Sequence, residues 1–429
     1  MFTNPARRQR SVNLPRCERR ELVVIGGGPA GLAAAIAAKE AGCGDVLLVE
    51  RDRMLGGILN QCIHDGFGIH RFKKALSGPE YAARELERVC EVDISVMSGT
   101  IALNLSADKK LLLSRTGELK EIKAGAVVLA TGCRERARGA LSIPGHRPAG
   151  IYTAGTAQNF VNMENIMPGS RVCILGSGDI GLIMARRMTL EGAKVEAVFE
   201  LLPYSSGLPR NIRQCLDDYG IPLFLRTTVV EIVGMERLEG VRVAEVDENK
   251  RPIPGSDRFV PCDTLLLSVG LIPENELARG AGVDLHPVTG GPLVDDRCMT
   301  NLPGVFSCGN ALHVHDLADW VSEEAARAGV SAAAYLSQGE VSRGRVKVSA
   351  GIGVRYALLQ AITGDGGAIL AFRVNEPSRD GVVKITSGSR VIKEEILKRL
   401  LPAEMIRIVL NETQIRLIRG VGSVEVRVE

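Results

Sequence analysis

Residues 21–50 read ELVVIGGGPAGLAAAIAAKEAGCGDVLLVE. An apolar run ends in a glycine turn, a helix of small residues follows, and a second apolar run closes on Glu50. Gly26, Gly28 and Gly31 have GxGxxG spacing, with Pro29 and Ala30 between the second and third. In such a unit the first glycine permits the tight turn and the second lets the backbone approach a pyrophosphate. The third lets helix and strand pack closely. The phosphates would sit at the helix N-terminus, where free N–H groups and the dipole favour negative charge. Glu50, followed by Arg51, is placed to accept hydrogen bonds from both hydroxyls of an adenosine ribose.

The unit recurs. SRVCILGSGDIGLIMARRMTLEGAKVEAVFE, residues 170–200, superposes on it at an offset of 150. Gly176, Gly178 and Gly181 fall on the first three glycines, with Asp179 and Ile180 in the middle, and Glu200 falls on Glu50. One GxGxxG is often only a turn. Two copies, each in strand–turn–helix context with Glu 24 residues after the first glycine, specify two nucleotide sites. The first copy, completed by the strand–turn–helix segment TNLPGVFSCGNALHVHDLADWVSEEAARAG (300–329), is the expected FAD site. The middle copy is the expected NAD site. Glu200 should repel a 2′-phosphate and residues 201–208 hold no Arg or Lys, so NADH is expected over NADPH.

Bulk properties restrict the class. The 429 residues are 45% hydrophobic and 24% charged, the balance of a globular protein of two or three domains. No apolar run approaches the roughly 18 residues of a membrane span. The net charge of +3 is concentrated at the start, where residues 1–20 carry six arginines against Glu18 and the remainder sums to −2. The body therefore has no electrostatic footprint for nucleic acid. The basic start lacks the apolar core of a secretory signal; an Arg-rich leader fits a transit peptide, and a disordered arm is the expectation. Ten scattered cysteines show no zinc, iron–sulfur or local disulfide spacing, which fits a reducing cytoplasm.

The ordered motifs GGGPAG, VVLATG (127–132), LGSGDIG, SVGLIPEN (268–275) and GVFSCGN (304–310) resemble flavoproteins with two dinucleotide-binding domains, the pyridine nucleotide-disulfide oxidoreductases such as thioredoxin and glutathione reductases. The resemblance covers about residues 20–340 and implies that Gly57, Thr131, Gly132, Gly270, Gly309 and Asn310 join the two glycine loops and their acids in holding FAD and NAD. A narrower resemblance rests on GGILNQCIHDGFG (56–68), ATGCRERARG, LPRNIRQCLDDYGIPL and CGNALHVHDLADWVSEEA. These are similar to NAD/FAD oxidoreductases that accompany an anaerobic glycerol-3-phosphate-dehydrogenase-type flavoprotein and a small cysteine-containing protein. That resemblance implies electron exchange with a partner's flavin.

Departures are equally informative. Leu59 and His64 stand where the glutathione-reductase cysteine pair would fall, and the middle domain has no CxxC. The family's Asp beside the flavin is Asn310 here, and residues 341–429 contain no cysteine. Cys62, beside a glycine pair and expected near the flavin ring, is read either as a single redox thiol or as packing. His64 is a candidate proton donor or an exposed loop residue. His313 and His315 are candidate proton relays close to the flavin's pyrimidine edge, near a helix starting about Asp319 whose N-terminus would stabilise negative charge. No metal is expected, since no further ligand lies near them in sequence. Arg134 and Arg136 are expected to contact the flavin domain's own carboxylates.

The expected fold is α/β, with two Rossmann-like dinucleotide-binding domains and a small C-terminal mainly-β domain. The divisions are a basic arm (1–20), FAD-binding (21–150 and 286–340), NAD-binding (151–285) and C-terminal (341–429). Residues 150–170 are expected to be a crossover and hinge, and KEEILKRLL (393–401) a helix. The expected function is hydride transfer between NAD(H) and FAD, with a partner flavoprotein dehydrogenase exchanging the electrons. Its substrate would be glycerol-3-phosphate or another hydroxy or amino compound. A self-contained NADH oxidase, quinone or thiol reductase and a non-catalytic scaffold are the rivals.

Overall fold

The computed structural model describes residues 17–339, 346–364 and 366–429. Strand Glu18–Ile25 alternates Leu22 and Val24 toward one face with Val23 and Ile25 toward the other, and all four are buried. A strand apolar on both sides belongs inside a parallel sheet covered on both faces, and this one pairs in parallel with Val46–Val49 and Glu118–Leu129. Helix α1 (Pro29–Glu40) returns across one face. Helix α2 (Gly78–Glu91) is started by Ser77 and Glu80, which form a capping box. The strands of the sheet run, in space, 95–97, 46–49, 18–25, 118–129, 110–115 and 100–105, and Val305–Ser307 adds in parallel to 118–129.

The chain then builds the second unit. Ile151–Thr153 pairs in parallel with Thr264–Leu267, so the segment expected to be a crossover contributes a strand to the second sheet, followed by α3 (Ala154–Asn162). Its Thr153 side chain accepts the Thr156 N–H and caps that helix, a signal the glycines at 150 and 155 obscured. Arg171–Leu175, α4 (Asp179–Leu190), Lys194–Phe199, α5 (Pro209–Cys215) and the short strand Leu223–Phe224 complete the second parallel sheet of five strands and one of its covering layers. A three-stranded antiparallel sheet, 227–233, 240–245 and 258–261, covers the other face.

Helix α6 (Glu276–Ala281) packs Ala278 and Ala281 onto the first sheet. Helix α7 (Ala318–Gln338) lies against α1, so closely that a Cβ on Gly329 would stand 2.1 Å from the Ala34 carbonyl oxygen. Small residues on both helices make that approach possible. The C-terminal part is mainly β, with a five-stranded and a three-stranded sheet around one core and a short helix, α8 (Glu412–Ile418), capped by Asn411 and Gln414.

Two expectations are corrected. Residues 393–401 are no helix, since Arg390–Leu400 is an edge strand antiparallel to Ser378–Ser387. Its Ile392, Ile396 and Leu400 have helical spacing and its Lys and Glu residues favour helix, but pairing with the neighbouring strand overrides that local preference. The last residues of the stretch read as an arm, Glu18 to Arg20, are strand. Arg20 pairs with Glu18 and Asp45, which gives this charged segment fixed partners. Residues 1–16 of the basic arm lie outside the described residues.

Candidate functional site

The two glycine loops form the same hydrogen-bonded device. Glu50, 6% exposed, accepts the Gly27 N–H on one carboxylate oxygen and the Asp52 N–H on the other, the latter at 2.8 Å. Glu200, 5% exposed, accepts the Ser177 N–H at 2.9 Å and the Leu202 N–H at 2.9 Å in the same way. Each acid is thus anchored to the middle residue of its loop and to the residue two places on. A carboxylate has about four lone-pair positions, so Glu50 keeps acceptor capacity for ribose hydroxyls, whereas Glu200 also accepts the Ser177 and Ser206 hydroxyls, which a ribose would have to displace. The sequence alone pointed to the acids; Ser177, whose hydroxyl also bonds Glu200 at 2.5 Å, was missed because nothing in its spacing marks it.

At the first loop, Gly26 has φ +109°, and a Cβ there would strike the Ala130 carbonyl oxygen. A Cβ on Gly31 would lie 1.6 Å from the Gly26 carbonyl oxygen. Gly28 caps α1 with no side chain bonding the first-turn N–H groups. The backbone of the 56–61 turn leans on this loop, with Gly56 N–H donating to the Gly27 carbonyl at 2.8 Å and Gly57 standing against Gly28. Gly309 faces Ala30, so the late segment closes over the start of α1. Pro29, Ala30, Gly57, Thr131, Gly132, Gly309 and Asn310 therefore surround the C-terminal edge of the first parallel sheet, where open α/β sheets bind ligands. Thr131 Oγ1 donates to the Glu274 carbonyl at 2.7 Å, and the Glu274 N–H donates to the Gly132 carbonyl. Open N–H groups, a side-chain-free approach and a buried ribose acid fit FAD. Arg51 is exposed beside Glu50.

At the second loop, Gly176 (φ +94°) and Gly178 both approach Ser268, whose hydroxyl accepts the Gly181 N–H at 3.1 Å. Ile180 packs in the second core. The Asp179 carboxylate accepts from Leu208 N–H at 2.8 Å and Asn211 Nδ2 at 2.7 Å, tying α4 to α5. Gly270 (φ +103°) sits where its carbonyl accepts the Arg136 N–H. A cavity of about 190 Å³ adjoins Glu200, lined by Leu201, Pro203, Arg226, Asp247, Glu248 and Lys250. Arg226 and Lys250 reach it from beyond the 201–208 stretch in which the sequence showed no cation.

Cys62 ends the 57–61 turn, and its Sγ lies 3.7 Å from the Gln158 side-chain oxygen. Burial alone pushes its thiol up to about 12. Gln61 is fixed beside it by the Gly155 carbonyl and the Gln158 side chain, so the turn is bolted to α3. Cys133, also pushed up by burial to about 11, receives the Asn310 Nδ2 donor at 3.5 Å. All ten cysteines are free thiols. His64 packs on Phe67, and burial holds its pKa below the usual histidine value.

The histidine pair meets a buried acid. His313 Nε2 lies 3.1 Å and His315 Nε2 3.4 Å from one oxygen of Glu324, a buried acid of α7. Burial lowers His313 to about 4; burial would raise Glu324, but the two imidazoles outweigh it and hold its carboxyl well below the usual range. Glu324 thus supplies the third donor whose absence from the neighbouring sequence spoke against a metal. Its signal was an acid on the apolar face of α7, between Val321, Ala325 and Ala328. The Asp319 carboxylate accepts the His70 and Arg71 N–H groups, and Trp320 stacks on His70, so the α7 N-terminus is held by the 70–71 backbone. Arg134 pairs with Glu274 and Glu276, carboxylates that precede position 286, the expected start of the second flavin segment.

Comparison with known proteins agrees with this geometry. The pattern of the pyridine nucleotide-disulphide oxidoreductase family matches residues 20–333. An opine oxidase subunit of Agrobacterium tumefaciens is 26% identical over 68% of this chain, which spans 61% of that protein. Hydrogen cyanide synthase subunit HcnB of Pseudomonas aeruginosa is 28% identical over 74% of this chain and 71% of its own. The ferredoxin–NAD(+) reductase subunit of a Pseudomonas putida benzene 1,2-dioxygenase system is 29% identical over 70% and 67%. Thioredoxin reductase of T. acidophilum shares the fold with TM-score 0.62 at 21% identity, covering 74% of this chain and 98% of that one. The chain belongs to the pyridine nucleotide-disulphide oxidoreductase family and is an FAD-dependent NAD(H) oxidoreductase. Among the described residues no helix is long and apolar enough to cross a membrane.

Proposed function

We propose that this chain passes hydride between NADH and FAD and exchanges the electrons with a partner flavoprotein dehydrogenase. The partner would oxidise glycerol-3-phosphate or another hydroxy or amino compound, with a small cysteine-containing protein as a further companion. FAD and nicotinamide supply the hydride chemistry; the side chains bind, orient and shield. In this reading Glu50, the Gly26–Gly31 loop and Asn310 hold FAD, while Glu200 and the Gly176–Gly181 loop hold NADH.

The observation that carries the proposal is the setting of Cys62. A disulfide reductase hands electrons from flavin to a cysteine pair, and a nucleophilic thiol needs a lowered pKa. Cys62 has Gln158 as its polar neighbour and a thiol pushed up to about 12. Electrons are then left to depart from the flavin itself. The segment beside the first loop also exposes Met54, Ile58, Ile63 and Ile69, an apolar surface suited to a protein acceptor. The opine oxidase and cyanide synthase relatives are both named as subunits. A scaffold role is disfavoured by two intact ribose acids and two open loops. We further propose a cytoplasmic location and a preference for NADH, since the Glu200 carboxylate would repel a 2′-phosphate.

The test is NADH oxidation by the isolated protein. Fast anaerobic flavin reduction with slow turnover in air supports the proposal. Rapid turnover in air, or with a low-molecular-weight disulfide, would replace it by a self-contained oxidase or thiol reductase.

A further inference from the structure

The His313–His315–Glu324 cluster is not needed for hydride transfer, yet it is the most closely assembled set of metal-ligating groups among the described residues. Its Nε2, Nε2 and carboxylate oxygen atoms all lie within 4.8 Å of one another. We propose that these three side chains bind one divalent transition-metal ion of the zinc type.

Three observations support this. The first is spacing. Zinc bonds of about 2.0–2.1 Å in a tetrahedron place neighbouring donors about 3.3–3.4 Å apart. Here the two imidazole nitrogens stand 3.1 and 3.4 Å from the same Glu324 oxygen.

The second is the proton arrangement. His315 Nδ1 lies 3.0 Å from the His313 carbonyl oxygen, which can only accept, so that nitrogen carries a hydrogen. In neutral imidazole the other nitrogen is then bare, and it faces a carboxylate oxygen. Either a metal ion between them or the proton of an imidazolium satisfies that pair, and the titration below separates the two. His315 shows the pattern of a metal-bound histidine, with the remote N–H on a backbone carbonyl fixing the ring, whereas the buried Nδ1 of His313 has no such partner. Glu324 is oriented likewise, its other oxygen accepting the Gly309 N–H at 2.8 Å.

The third is room. A cavity of about 20 Å³ adjoins the three donors, bounded by Trp320, Met405, Arg327 and Arg407. It is large enough for a water-sized fourth ligand. The two guanidinium groups favour an anionic or water-derived one, and Arg407 is already paired with Glu323 at 2.7 Å.

The site would brace the turn that carries Asn310, because the His315 N–H donates to Asn310 Oδ1 at 3.1 Å. It stands between that turn and the C-terminal domain, which contributes Met405 and Arg407 to its wall.

The experiment uses the FAD-loaded full-length protein, stripped with a chelator and titrated with Zn²⁺ by calorimetry and with Co²⁺ by absorbance to the red of the flavin bands. The proposal expects one equivalent of each, with d–d bands and no thiolate charge-transfer band. Glu324→Gln and His315→Ala should each weaken binding by at least about tenfold. Glu324→Gln is nearly isosteric and preserves the acceptor for Gly309, so its flavin content reports that the fold is intact. The proposal fails if the wild-type protein takes up no stoichiometric metal, which would leave a buried imidazolium–carboxylate pair. It fails equally if a flavin-loaded Glu324→Gln protein binds metal as tightly as wild type.

Discussion

At the scale of single residues, function divides between two acids that look alike. Glu50 and Glu200 occupy equivalent places 150 residues apart and make equivalent bonds to their loops. Substitution should nevertheless separate them by cofactor. Glu50→Ala leaves the buried Gly27 N–H without a partner, at roughly 1–3 kcal/mol, and hands the Asp52 N–H, on an exposed residue, to water. It should lower FAD affinity at least about tenfold, read as flavin absorbance per protein. Glu200→Ala should leave flavin content unchanged and raise the KM for NADH by a similar factor. Both acids were legible in the sequence because their distance from the glycines is set by one strand–helix–strand unit. The surroundings of Cys62 were not, because Gln158 lies 96 positions away and no local pattern connects them. The histidines show the same limit: the apolar-face position of Glu324 hints at burial, but its meeting with His313 and His315 needs the turn at 309–317 to fold back.

At the scale of elements, glycine placement decides how closely strand, turn and helix approach. The 1.6 Å clash awaiting a Cβ at Gly31 is with backbone and cannot be relieved by a rotamer change. At Gly181 the nearest backbone obstacle, the Gly176 carbonyl oxygen, is 3.0 Å away, and the closer contacts are with the Ser268 side chain. Gly31→Ala should therefore destabilise more than Gly181→Ala. The expected costs are above about 3 kcal/mol for the first and about 1–3 kcal/mol for the second. Denaturant midpoints of the two variants check the order. Elements with a strong local signature were read correctly: α1, α2 and α4 each begin at a glycine turn or a capping serine. The Arg390–Leu400 strand was misread, because at a sheet edge the charged outer face looks like the polar face of a helix.

At the scale of the whole molecule, the C-terminal β domain is joined to the flavin-side turn through Arg373. Its guanidinium bonds Asp316 and the carbonyls of Val314, Pro402 and Ala403, and Asp316 also accepts the Met405 N–H at 2.5 Å. Arg373→Met should strip these carbonyls and a half-buried carboxylate of their partner, costing about 2–4 kcal/mol, somewhat below the figure for full burial. Equilibrium unfolding followed by flavin fluorescence measures it. The two nucleotide domains were legible because the repeat is written in the sequence, whereas the docking of the third depends on contacts between residues dozens of positions apart. The central claim is that flavin is the sole resident electron acceptor and that electrons leave through a partner. It is tested most directly by an anaerobic NADH titration of the purified FAD-loaded protein, followed by flavin absorbance. The account predicts an end point at about two electrons per flavin, unchanged in Cys62→Ser. An end point near four electrons, falling to about two in Cys62→Ser, would contradict it and make the protein a thiol-dependent reductase.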